Sequence, residues 1–331
     1  ALFREAEVPK RLIPGTIALG AFTFTMTALP GTPAIQNAIP MPHFGTTPFA
    51  APGLGAIAGL VMAGLGLLWL ERRFAAARAA GEGYGSHPED LAEGEAGPLP
   101  PFALALAPVV LVVAFNYLFG ERLIPALDTG YLARPLYGAT TVETVRGIWA
   151  IIGALTLSCL AVILMHPRLP DLPGVIGRGA EASLLPIFNT ASLVGFGAVV
   201  AALPAFDAIR EAVLGLAPGN PLISLAVSVS LLAGITGSAS GGMSIALDAL
   251  GETYLAMGRE AGIDAALLHR VTAIATGGLD ALPHNGAVIT LLSICRLGHR
   301  EAYADIFVVA VLAPVLALVA VIALGTLLGS F

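Results

Sequence analysis

The run from Val271 to Cys295 is apolar and, at about 1.5 Å per residue, long enough to cross the roughly 30 Å core of a bilayer as one helix. Its middle reads Gly277-Gly-Leu-Asp-Ala-Leu-Pro-His-Asn-Gly286. Gly277 and Gly278 loosen the backbone, Pro283 removes an amide donor and Gly286 invites a further irregular turn, so the run is predicted to be a broken membrane helix. Asp280, His284 and Asn285 fall inside the break. A carboxylate at that depth costs about 2.5 to 3.5 kcal/mol on insertion scales, which asks for a compensating role.

The same break occurs earlier. Thr27-Ala-Leu-Pro-Gly-Thr-Pro-Ala-Ile35 lies in the charge-free run from Leu12 to Pro42. It shares Ala-Leu-Pro-x-x-x-Ala and a following branched apolar residue with Asp280 to Val288. Each copy is followed by a final apolar span, Phe49 to Leu70 and Ile306 to Leu328. Two interrupted hydrophobic segments at matching positions point to a transporter built from repeats around a midplane site. The plainer alternative is a pair of Pro-kinked helices that hold no ligand.

With 56% apolar and 11% charged residues and a mean hydropathy of +0.86, the chain is far from a soluble domain, which carries about 25% charged residues. It reads as an all-α polytopic membrane protein with the bilayer as its main partner. The net charge of -6 comes mainly from Glu82 to Glu95, a solvated loop, and implies no nucleic-acid partner. Cys159 and Cys295 lie in apolar spans and read as small hydrophobes rather than metal ligands or a disulfide. Gly-x-x-x-x-Gly-Lys, His-Glu-x-x-His and Gly-x-Ser-x-Gly motifs are absent, which disfavours an ATP-driven pump. An intramembrane enzyme would need a nucleophile beside Asp280 and His284, and none stands at a recognisable spacing. No cofactor is expected beyond a proton as coupling ion.

Charge clusters order the chain. Arg4, Lys10 and Arg11, then Arg72, Arg73 and Arg78, then His166, Arg168 and Arg178, and finally Arg296, His299 and Arg300 are predicted to be cytoplasmic. Residues 1–70 form the end of a first repeat, a broken helix plus a final helix, and 71–101 a flexible cytoplasmic linker. Residues 102–331 form a second repeat: spans over 102–120, 147–165 and 182–203, an interfacial helix over 207–216, a re-entrant hairpin over 222–257, a broken helix over 266–295 and a final helix over 303–330. The hairpin follows from length and parity. Leu222 to Ile235 gives only about 21 Å of helix, and Thr236-Gly-Ser-Ala-Ser-Gly-Gly242 suits its tip. A packing patch of small residues is the alternative for that element. The chain opens at Ala1 without Met or signal peptide and enters a span almost at once, as a protein missing its beginning would.

Free backbone groups at helix breaks and hairpin tips can face a cavity, and half-helix N-termini attract anions. Thr27, Gly31, Thr32, Ser238, Ser240, Gly241, Gly242, His284 and Asn285 are therefore candidates to bind a small polyhydroxy carboxylate. Thr25, Gln36 and Asn37 are weaker ones. Asp280 and His284, the titratable residues at the break, are candidates for proton coupling. The alternative for Asp280 is a carboxylate that caps the second half-helix. Asp248 and Glu252 read as interfacial.

Phe24-Thr-Met-Thr-Ala-Leu-Pro-Gly-Thr-Pro-Ala-Ile-Gln-Asn37, Phe44-Gly-Thr-Thr-Pro48, Gly234-Ile-Thr-Gly-Ser-Ala-Ser-Gly-Gly242 and Asp280-Ala-Leu-Pro-His-Asn-Gly-Ala-Val-Ile-Thr290 resemble the gluconate:proton symporter (GntP) family of bacterial permeases, over nearly the whole chain. The resemblance implies an inner-membrane secondary transporter that takes up gluconate or a related sugar or hydroxy acid with a proton. Some relatives handle 3-hydroxybutyrate. It also implies the inverted repeats, two re-entrant hairpins, scaffold and moving transport domain of the wider ion-transporter group, often as a homodimer. Members of the family are longer, so the missing N-terminal part of the permease should hold early helices and the first hairpin. A passive pore and a non-transporting fragment of a split permease are the competing readings.

Overall fold

The computed structural model describes residues 2–85, 101–165, 171–204, 208, 211, 212, 215 and 220–331. The described residues form helices joined by short turns, and no strand occurs among them. Pro52–Ala79, Phe102–Ala126, Val142–Met165 and His299–Leu328 are each long and apolar enough to cross a membrane. Large side chains such as Leu60, Val109, Ile152 and Val319 stand on their surfaces exposed, where an aqueous protein would bury them. The molecule is an all-α polytopic membrane protein.

Both runs that contain Ala-Leu-Pro are interrupted. The first consists of Ile13–Ala21, Phe24–Thr27, Ile35–Ala38 and Pro40–Phe44, with a non-helical stretch over 28–34. The second consists of Ala265–Thr276, a short 3-10 turn at Leu279–Ala281 and Gly286–Cys295. The helix after the first break begins with Pro52 in its first turn, where the missing N–H costs nothing. It does not stop at Leu70, as a linker over 71–101 requires, but runs on to Ala79. Glu71-Arg-Arg-Phe-Ala-Ala-Ala-Arg-Ala79 is rich in strong helix formers, so the helix outlasts its apolar part. It ends where Gly81 N–H donates to Arg78 O and Glu82 N–H to Ala77 O. The rest of the expected linker and the expected interfacial helix over 207–216 fall largely outside the described residues. Between the first two spans of this half the chain makes two 3-10 turns, Gly130–Ala133 and Pro135–Tyr137.

Pro221–Thr236 and Ala239–Glu260 form a helical hairpin. Gly237 turns the chain in the left-handed region at φ 59°, where a Cβ would be strained. The arms then cross so closely that a Cβ on Gly242 would overlap the backbone of Ala233. Further along, Tyr254 Oη lies 2.8 Å from Ser224 Oγ and 2.6 Å from Ser228 Oγ, which ties the arms by hydroxyls in a buried setting. The core is continuous from this hairpin to its neighbours: Leu225, Val229, Leu247 and Leu250 pack with Leu54, Met62, Val271 and Val321. A second cluster joins Leu19, Leu70, Val288, Leu292 and Val309 around the start of the last helix.

Two ends can be told apart. At one, Arg73 Nε donates to Asp305 Oδ1 (2.8 Å), Trp69 Nε1 donates to the same oxygen (2.9 Å), and Arg11 pairs with Glu82 (2.7 Å). At the other, Gly53 N–H donates to Phe331 O (2.8 Å) and Ser330 Oγ to Asp264 Oδ2 (2.8 Å). Both feet of the hairpin stand at this second end, because Asn220 Nδ2 donates to Thr326 Oγ1 (2.9 Å) and Asp264 follows the second arm directly.

Candidate functional site

The hairpin tip meets the second break. Ser238 caps the Ala239–Glu260 helix, its Oγ accepting from Gly241 N (3.2 Å). Asn285 caps Gly286–Cys295, its Oδ1 accepting from Ala287 N (2.6 Å) and Val288 N (3.1 Å). The same side chain donates from Nδ2 to Gly237 O (2.7 Å), so one amide both starts a half-helix and holds the hairpin tip against it. His284 adds a second tie from Nε2 to Gly234 O (2.9 Å). A carbonyl only accepts, so that nitrogen carries the proton. The carbonyls freed by the break are met from the last helix: Tyr303 Oη donates to Ala281 O (3.1 Å) and His299 Nε2 to Pro283 O (2.9 Å). Backbone at membrane depth is tolerated only when its polar groups are met in this way or face a cavity.

A cavity of about 570 Å³ lies where these parts converge, inside the range of about 300 to 1,000 Å³ usual for small-molecule sites. Phe22, Met26 and Gln36 of the first broken segment close one side. Gly237, Ser238, Ala239 and Ser240 bring the N-terminus of a 22-residue helix to it, and Asn285, Gly286 and Ala287 bring that of a 10-residue helix. First-turn amides have no acceptor within their own helix and carry the positive end of its dipole. Two such ends point the positive ends of their dipoles at one cavity, which neither Lys nor Arg lines among the described residues. Asp280 also lines the cavity, is 7% exposed, and its Oδ1 has no hydrogen-bond partner among the described residues.

Of the residues expected at the site, Ser238, Ser240, Asp280 and Asn285 line this cavity, together with the weaker candidate Gln36. The others stand off its walls. Thr27 is fully buried, bonds Thr23 O (3.1 Å) and lies next to Gly277. Gly31 N–H donates to Pro48 O (3.0 Å), its carbonyl accepts from Asn116 Nδ2 (3.2 Å), and the ring of Phe49 covers it. Thr32 Oγ1 donates to Thr25 O (2.9 Å) across the first break. Gly241 gives its N–H to the Ser238 cap, and Gly242 sits at the crossing of the hairpin arms. His284 faces the hairpin carbonyl. Asp248 lies 3.6 Å from His43 Nε2 at Oδ1.

Sequence reasoning passed over His269 and Arg270, which immediately precede the apolar run and are both fully buried. Arg270 donates to carbonyls of the first break and of the loop that follows it, and His269 lies 2.6 Å from Thr46 Oγ1 at Nδ1. The available signal was Leu267-Leu-His-Arg-Val271: a cation inside an apolar register is a functional hypothesis in its own right.

Membrane-length helices, two broken segments and a polar cavity between a break and a hairpin tip define an all-α polytopic membrane protein with a small-molecule-sized cavity. Comparison with known proteins agrees with that class. The chain is 42% identical over 344 aligned positions, covering 99% of it and 72% of the relative, to the uncharacterized transporter YxjC of Bacillus subtilis (strain 168), and it belongs to that transporter family. No protein-family model matches the chain, and no solved structure matches it.

Proposed function

We propose that the protein is a proton-coupled secondary transporter of the bacterial inner membrane, of the gluconate:proton symporter type, that takes up gluconate or a related small hydroxy-carboxylate. The observation that carries this reading is the cavity that combines two helix N-termini with a buried Asp280, one of whose carboxylate oxygens, Oδ1, is without a partner among the described residues. The helix ends suit a carboxylate, and Ser238, Ser240, Gln36 and Thr290 suit hydroxyls. Two unit negative charges about 4 Å apart repel by about 4 kcal/mol at an effective dielectric near 20. An anionic substrate beside Asp280 therefore favours a proton on Asp280, and substrate and proton travel together. The inverted repeats, the re-entrant hairpin, a moving transport domain and a homodimer complete the proposal.

One feature favours a shorter acid such as 3-hydroxybutyrate: Phe22, Met26, Ala239 and Ala281 give the cavity an apolar side that a fully hydroxylated chain does not use. The test is uptake of labelled gluconate, 3-hydroxybutyrate and a non-hydroxylated carboxylate by proteoliposomes, with and without an inward proton gradient. Accumulation of a hydroxy acid that needs the gradient supports the reading. Gradient-independent equilibration would indicate a pore, and uptake of none of the three would reject the proposal.

A further inference from the structure

Arg270 is 0% exposed. A buried guanidinium must find acceptors for its five N–H groups or bear the full penalty of leaving water unpaired. Here Nε and Nη2 both donate to Ala50 O (3.0 and 2.7 Å), and Nη2 also reaches Pro48 O (3.2 Å). Nη1 donates to Ala28 O (3.1 Å), Thr27 O (3.3 Å) and Asn37 Oδ1 (3.3 Å). Every one of these acceptors is neutral, and all lie 220 to 243 positions earlier, in the first broken segment and the loop after it. His269 reinforces the contact. Its Nε2 donates to Asn37 Oδ1 (3.0 Å), since that oxygen only accepts, which leaves Nδ1 to accept from Thr46 Oγ1 (2.6 Å). Asn37 in turn donates to Thr32 O and Pro48 O (both 3.0 Å).

Interrupting a helix at membrane depth frees carbonyls that lipid cannot satisfy. At the first break the freed carbonyls of Thr27 and Ala28 are taken by a side chain from the helix that leads into the second break. The two breaks also touch directly: the Thr27 side chain packs on Gly277, where a Cβ would stand 2.9 Å from Thr27 Cγ2.

We infer that Arg270 is a positioning residue that fastens the first break to the second broken segment, so that both move as one rigid body and keep the wall of Phe22, Met26 and Gln36 against the cavity. This rests on the transporter reading for its purpose and on the Arg270 contacts for its geometry. A planar fan of donors, not the charge alone, is what Arg270 supplies: a lysine has a single ammonium on a flexible stem and cannot reach all of these acceptors.

The experiment uses Thr27→Cys/Gly277→Cys in a Cys159→Ser/Cys295→Ser background, in membranes, with disulfide formation followed under mild oxidant. With Arg270 present the pair should close fast and nearly completely, at a rate unchanged by substrate or by a proton gradient. Adding Arg270→Gln or Arg270→Lys should slow closure tenfold or more. Equal rates in all three, or full rescue by lysine, would overturn the inference. Proteoliposomes carrying the oxidised pair should take up substrate within about threefold of the reduced pair; a block on oxidation, reversed by reduction, would show that the breaks move against each other. Closure rates are read without transport, so failure of uptake in every sample would count against the proposed function and leave this inference to be judged on closure alone.

Discussion

At the scale of single residues, the cavity divides its polar side chains into two kinds. Ser238 and Asn285 are committed to capping and to the tip–break contact, whereas Asp280, whose Oδ1 has no partner among the described residues, and Gln36 also line the cavity. Asp280→Asn is therefore expected to keep counterflow exchange of labelled substrate while losing accumulation driven by a proton gradient. If that variant still accumulates substrate with wild-type pH dependence, Asp280 is not the coupling residue. Ser240→Ala removes one hydroxyl from the wall and should weaken binding by about 1 kcal/mol, roughly fivefold, with coupling intact. Asn285→Ala removes a cap, worth about 1 kcal/mol, and leaves Gly237 O without its donor, so it should lower both the melting temperature in detergent and the affinity.

At the scale of elements, the hairpin depends on contact between its arms. Gly242→Val must push the second arm off the backbone of Ala233, which should destabilise the protein by about 1 to 3 kcal/mol. Tyr254→Phe loses the hydroxyl shared with Ser224 and Ser228 and should cost about 1 kcal/mol with little change in shape. Thermal unfolding followed by circular dichroism in detergent would rank the two. A Gly242→Val protein as stable as the parent would mean that the arms are not held at this crossing. Each broken segment is likewise completed by another element: the second by Tyr303 and His299 of the last helix, the first by Arg270.

At the scale of the whole molecule, both hairpin feet and Phe331 share one end, and Arg11, Arg73 and Asp305 share the other. By the positive-inside rule the basic residues of the Arg11 and Arg73 end predict that this end faces the cytoplasm. Single cysteines at Arg72, Arg178 and Arg296 should then resist an impermeant thiol reagent applied from outside, and cysteines at Asp128 and Phe331 should react. Strong external labelling at 296 with protection at 331 would contradict this arrangement. Arg210, for which the charge pattern also predicts an outside position, lies outside the described residues.

The sequence by itself determined the class of the molecule and where its irregular points fall. Apolar runs of spanning length leave a chain no alternative to helices in lipid, and Pro and Gly interrupt a helix wherever they stand, so the breaks at 28–34 and 277–285 and the turn at Gly237 were legible from local chemistry alone. Only the tertiary structure decided which side chains meet. Thr27, Gly31 and His284 carry the same local signal as Ser238, Ser240 and Asn285, yet packing commits the first three to backbone and neighbouring helices away from the cavity and sets the last three in its wall. Arg270 shows the reason most plainly: its acceptors lie more than 200 positions away, and a contact made across that separation is fixed by how helices pack, which no local pattern encodes.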